Sequence, residues 1–328
     1  MKKLKITVVV LLLLTIVYLL GPHPATPVYD TKLPDAPADL QQLSQYVSQL
    51  ERVQKVKEDN EAKIVWNNDS MPAKTKYAIV YLHGFSASHE EGNPVHITIA
   101  REMGANLYLS RLADHGVDTT EPFMQLTADH YWETCKQALA IGSKLGEKVI
   151  LMATSTGGTN ALQLAAAYPD KIAGLILYSP NIAINDPNAW LLNNPWGLQI
   201  ARLVKGSDYN ITPDQRPIYK KYWYSKYRLE GAVALEELLE TTMNEETFKK
   251  IHQPTLVLCY YKDEEHQDPV VKVSAMKTMF EQLGTAAANK QMVELPNVGD
   301  HVLASPIKSK DVESVLKYTR SFVKAQFQ

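Results

Sequence analysis

Lys148-Val-Ile-Leu-Met-Ala-Thr-Ser155-Thr-Gly-Gly-Thr-Asn160-Ala-Leu decides how this chain is read. Apolar residues fill 149–153, which is the composition of a strand buried on both faces. Small residues surround Ser155, and helix formers with periodic apolar positions follow from Ala161. A serine on a sharp strand-to-helix turn is held in a strained backbone conformation that exposes its Oγ at the rim of a sheet. Crowding at such a turn demands small side chains two positions before and after the serine. Those positions hold Ala153 and Gly157, so the usual Gly-x-Ser-x-Gly pattern is met with one small departure. A plainer alternative is a Gly-rich turn with Ser155 capping a helix.

The rest of the chain extends this pattern. Short apolar runs at Lys63–Trp66, Tyr77–Leu82, Ala105–Ser110, Lys148–Thr154, Ile172–Tyr178, Thr255–Tyr260 and Gln291–Leu295 read as strands. Amphipathic segments near 94–103, 128–145, 158–168, 271–284 and 309–326 read as helices. The alternation predicts a mostly parallel sheet flanked by helices. Residues 182–252 interrupt it with a segment of helical character rich in Trp and Tyr. Connections in such folds usually take about 2–6 residues, so this stretch is an inserted cap that covers the carboxyl ends of the strands.

The total of 328 residues suits one α/β domain with an insertion, and a formal charge of −2 argues against a nucleic-acid partner. Cys135 and Cys259 have no metal-ligand spacing and read as buried free thiols. Lys2, Lys3 and Lys5 precede an apolar run from Ile6 to Leu20. Residues 1–21 are therefore expected to be a membrane anchor or a cleaved signal peptide, with retention favoured, because no small-x-small cleavage pair can be placed. Either outcome puts the body of the protein outside the cytoplasm, periplasmic or extracellular. Residues 22–61 read as a linker with five prolines in 22–37, then a surface helix. The core is expected at 62–181 and 253–328.

A serine hydroxyl needs a base, and the base needs a group that fixes its tautomer. Of the three histidines after Ser155, His301 follows the last strand, whereas His252 precedes a strand and His266 lies in an acidic loop. The acid is expected just past Thr255–Tyr260, where Asp263 and Asp268 compete. Two backbone amides must hold the developing oxyanion. Thr156, at the start of the helix, is expected to supply one, and the loop His83-Gly84-Phe85-Ser86 after Tyr77–Leu82 the other.

His83-Gly84-Phe85, Ala-Thr-Ser155-Thr-Gly, Asp263 or Asp268, and Gly-Asp-His301, in that order, resemble the α/β-hydrolase superfamily. The chain is most similar to its monoacylglycerol lipase/lysophospholipase-like branch. Arg111-Leu-Ala-Asp-His-Gly116, Trp132 and the run from Tyr168 to Pro180 share that form. The resemblance covers about 62–325, with the cap poorly matched. It implies an α/β-hydrolase fold with a helical cap and a Ser155–Asp268–His301 triad, because the family's acid stands in Asp-x-Val-Val and Asp268-Pro-Val-Val matches. A short insertion ahead of it keeps Asp263 open. The implied activity is hydrolysis of carboxylic esters with apolar acyl chains, with no metal and no organic cofactor. The alternatives are acyl transfer, amide or peptide hydrolysis, or an anchored non-catalytic binding protein.

Overall fold

The computed structural model describes residues 2–328. Seven strands form one sheet: β1 (Lys63–Val65), β2 (Thr75–Leu82), β3 (Asn106–Leu109), β4 (Gly146–Thr154), β5 (Ile172–Tyr178), β8 (Thr255–Cys259) and β9 (Lys290–Glu294). Their order is β1-β3-β2-β4-β5-β8-β9. Only β1 runs antiparallel to its neighbour; the other pairings are parallel. The seven expected strands are thus found, with ends displaced by a few residues.

The α-helices outside the insertion are α1 (Lys2–Leu19), α2 (Leu40–Glu51), α3 (Val95–Met103), α4 (Ala128–Leu145), α5 (Thr156–Ala167), α10 (Val273–Gln282) and α11 (Val312–Phe327). Alternate residues of the central strands feed two separate cores, as a strand's two-residue period requires. Val80, Leu82, Leu151 and Ala153 face α4 and α5, while Ile79, Tyr81, Ile150 and Met152 face α3 and α11. Both faces are covered, which explains the unbroken apolar run at 149–153.

From β2 the chain first winds outward to β3. It then returns to β4 on the other side of β2 and winds the opposite way to β9. Neighbouring strands that lead away in opposite directions open a crevice at their carboxyl ends, the place where open α/β sheets bind ligands. Here that crevice lies between the loops after β2 and β4.

Between β5 and β8 the chain forms α6 (Gly197–Lys205), β6 (Tyr209–Ile211), α7 (Pro217–Tyr222), β7 (Lys226–Arg228), α8 (Leu229–Thr242) and α9 (Glu245–Lys249). The insertion is mainly helical, as expected, and adds one short ribbon. Tyr209–Ile211 and Lys226–Arg228 pair as a small antiparallel ribbon, and three-residue strands are too short to show a two-residue period.

The proline-rich stretch before α2 is pinned to the domain. Trp132 Nε1 donates to the Asp30 carbonyl at 2.7 Å, Lys136 Nζ to Lys32 at 3.0 Å and Tyr168 to Thr31 at 2.8 Å. Cys135 and Cys259 are free and buried.

Helix α1 carries the apolar run, and its large apolar side chains are exposed. Among the described residues no helix is long and apolar enough to cross a membrane. A run of about 15 apolar residues behind three lysines spans roughly 23 Å, against a hydrocarbon core of about 30 Å. The expected transmembrane anchor is therefore not supported.

Candidate active site

Ser155 stands between the end of β4 and the first residue of α5, with φ 54° and ψ −121°. A positive φ on a residue with a Cβ is strained. The strain is held from several sides. The Ser155 amide donates to Tyr178 of β5 at 3.0 Å, and its carbonyl accepts from Gly158 at 2.8 Å and Asn181 at 2.9 Å. Gly157 is required by space, since a Cβ there would come within 2.0 Å of the Leu82 carbonyl oxygen. Ala153 is fully buried beside Leu82, so the departure from glycine two residues before Ser155 fits without a gap.

The loop leaving β2 lies next to this turn. The Gly84 carbonyl is flanked by His83 Nδ1 at 3.0 Å and accepts from the Ala87 amide at 3.3 Å. In a trans peptide the N–H points opposite to the C=O. That arrangement fixes the direction of the Phe85 amide. Ser86 donates its amide to His115 Nε2 at 3.0 Å, and Leu112 donates its amide to His83 Nε2 at 3.1 Å. These bonds require both rings to carry their proton on Nδ1. Burial pushes His83 down to about 4 and His115 well below its ordinary value, so both are neutral loop supports. The Arg111–Gly116 segment thus braces the loop through its histidine.

His301 lies in the loop after β9, and its Nδ1 is 2.7 Å from Asp268 Oδ2. Asp268 is fully buried, and its Oδ1 accepts the amides of Val270 at 2.9 Å and Val271 at 3.1 Å. Burial pushes Asp268 up, but His301 and these amides outweigh it, so its carboxyl sits below the usual range. Burial likewise pushes His301 down, but the Asp268 carboxylate outweighs it and holds the imidazole above its ordinary value. Asp263 is in a different place. It is 49 % exposed and closes a local turn, accepting the amides of Glu265 and His266 and pairing with the His266 ring at 2.7 Å. His252 is occupied by the Gly284 carbonyl at 2.9 Å.

One cavity of about 760 Å³ joins these parts, lined by Ser155, Thr156, Phe85 and His301. Its far walls come from the insertion and are mainly apolar, with Leu191, Ile200, Tyr219, Trp223 and Tyr227 among them. That size and composition suit a small amphiphilic molecule. Among the described residues no cluster of metal-ligating side chains is found. One lining residue escaped the sequence reading. Glu91 is 2 % exposed in a short 3₁₀ turn seven residues past Gly84, and its Oε2 accepts the Gly84 amide at 2.6 Å.

A strained serine at the strand-to-helix turn and a histidine tied to a buried aspartate, both lining one cavity over a mostly parallel sheet, define an α/β-hydrolase. The chain belongs to the family described as serine aminopeptidase, S33, which it matches over residues 115–298, more than half its length. Solved structures share the fold at low identity. The metagenome-derived lipolytic enzymes LipS and LipT are represented by a chain that is 17 % identical with a TM-score of 0.66, covering 83 % of this chain and 100 % of that one. A monoacylglycerol lipase from Paleococcus ferrophilus is 15 % identical with a TM-score of 0.58, covering 81 % and 98 %. Est1E from Butyrivibrio proteoclasticus, solved with ferulic acid, is 18 % identical with a TM-score of 0.53, covering 81 % and 94 %. Comparison with curated protein sequences finds no match.

Proposed function

We propose that the protein is a serine hydrolase that cleaves carboxylic esters with apolar acyl groups. The observation that carries this is the single cavity onto which Ser155, His301 and the Phe85 and Thr156 segments open, with His301 bound to buried Asp268. The lipolytic enzymes and the monoacylglycerol lipase of the same fold add support for the ester class.

In this scheme Ser155 Oγ attacks the ester carbonyl while His301 Nε2 takes its proton. Asp268 stabilises the imidazolium that forms. The Phe85 and Thr156 amides receive the oxyanion. Collapse of the tetrahedral species breaks the bond to the alcohol, which leaves with the proton from His301. Water, deprotonated by His301, then attacks the acyl-enzyme, and the acid departs as Ser155 regains its proton. Turnover of p-nitrophenyl esters tests the scheme: native protein that hydrolyses none of them would sink it. The S33 description favours amide substrates as a second reading, and p-nitroanilides of amino acids turned over faster than any ester would select it.

The basic start and apolar run of α1 support export of the domain from the cytoplasm. Cell fractionation that leaves all of the protein in the cytosol would reject this.

A further inference from the structure

The carboxyl of Glu91 lies where the oxyanion loop, the nucleophile turn and the inserted cap meet. Its Oε2 binds the Gly84 amide at 2.6 Å. A Cβ on Gly84 would fall 2.9 Å from that oxygen and 3.0 Å from Ser155 Cβ, so Gly84 is wedged between the two residues. Trp223 of the cap and Glu91 line the same cavity. Around it the cap sits directly on the loop. Tyr224 donates its amide to the Ser86 carbonyl at 2.8 Å, and Tyr219 and Trp223 pack with Ala87 and Val302. Among the described residues no lysine or arginine pairs with Glu91.

Glycine at 84 offers no side-chain restraint on its own dihedrals, so the direction of the next amide must be set from outside. The peptide after Gly84 is held through its carbonyl by His83 and Ala87. The peptide before it is held through its N–H by Glu91. With both planes fixed, the Phe85 amide has one orientation.

We propose that Glu91 is a positioning residue for the oxyanion hole, clamping Gly84 so that the Phe85 amide faces the reacting carbonyl. It rests on the ester-hydrolase reading above. Burial pushes Glu91 up to about 7, against the Gly84 amide, His301 and Trp223, which pull it down. The other groups facing it are Asp300, Tyr81, Tyr131 and Tyr219. Either protonation state leaves an oxygen free to accept from Gly84, so the clamp survives titration of the acid.

The test compares Glu91→Met, which keeps the shape but has no oxygen acceptor, with Glu91→Gln, which keeps one. Loss of an oxyanion donor typically costs about 100- to 1000-fold in kcat, and loosening one is expected to cost about 10- to 100-fold. Glu91→Met should lose that much kcat at a KM within about threefold of native. Its affinity for a trifluoromethyl ketone, whose adduct carries an oxyanion, should fall in parallel. Glu91→Gln should recover most of both, and its activity should rise at lower pH, because removing the neighbouring negative charge lowers the His301 pKa. Glu91→Ala carries the same comparison should the methionine not fold. Native kcat and native ketone affinity in the acceptor-free variant would overturn the proposal, as would a glutamine variant as impaired as the methionine. Native protein that hydrolyses no ester and takes no fluorophosphonate would instead count against the ester-hydrolase reading.

Discussion

Nδ1 of His301 faces Oδ2 of Asp268 at 2.7 Å, while the other oxygen of that carboxylate is bound by two backbone amides. The carboxylate cannot rotate away without leaving a buried amide unpaired, so the imidazole is fixed in one tautomer with Nε2 free. Asp268→Asn should reverse that tautomer and lower kcat on the order of 10⁴-fold in ester hydrolysis. Asp263→Asn should leave kcat within about twofold, because Asp263 serves a surface turn. Equal losses in the two variants would contradict the pairing of Asp268 with His301 as the working acid.

The same pair sets the pH behaviour. His301 accepts a proton only when neutral, and its pKa is raised above 6.5. Ester hydrolysis should therefore rise with pH through a midpoint above 6.5. Stability runs the other way. The raised His301 contributes fully below its unfolded value of about 6.5 and loses that contribution as pH rises through its folded value. The depressed Asp268 contributes above about 3.9 and loses it as pH falls through its folded value. The pair therefore stabilises most between about pH 4 and 6.5, where the base is protonated. In denaturant melts the gap between native protein and Asp268→Asn should be widest between about pH 4 and 6.5 and should narrow as pH rises through the folded His301 pKa.

Gly157 and Gly206 separate two costs of adding a methyl group. At Gly157 a Cβ would strike the Leu82 carbonyl oxygen at 2.0 Å, and backbone cannot yield as a flexible side chain does. Gly157→Ala should destabilise by roughly 3 kcal/mol or more and disturb the nucleophile turn. At Gly206 nothing lies within 4 Å of the added Cβ, and only the φ of +61° opposes it. Gly206→Ala should cost about 1–2 kcal/mol and leave ester turnover alone. Urea midpoints of the two variants measure both.

The apolar walls of the cavity predict a chain-length preference. Each buried methylene is worth about 0.8 kcal/mol, which is roughly a fourfold gain per carbon. Across a p-nitrophenyl ester series, kcat/KM should climb by about that factor per methylene and level off once the 760 Å³ space is filled. Acetate hydrolysed far faster than longer esters would rule out the apolar substrate class.

Much of this was legible in the sequence because buried parallel strands leave continuous apolar runs. Ala153, Ser155 and Gly157 could be read for the same reason: the turn's crowding restricts the residue types allowed there. Asp268 and Asp263 could not be ranked on position alone. Both stand in the loop after β8, and which one meets His301 depends on the turn that Asp263 closes with its own neighbours. Glu91 left no signal, since an acid next to Glu90 reads as a solvated charge until the fold buries it. The strands of the insertion were invisible because three residues carry no period. The apolar run of α1 is plain in the sequence, but among the described residues no helix is long and apolar enough to cross a membrane.

Ser155 is proposed to owe its reactivity to His301, and covalent labelling measures that directly. Native protein treated with a fluorophosphonate and digested should carry the adduct on the peptide containing Ser155, in a His301-dependent manner. His301→Gln should slow labelling by at least about a thousandfold while its circular dichroism spectrum matches that of native protein. Modification of another residue, or native labelling rates in His301→Gln, would contradict the proposed chemistry.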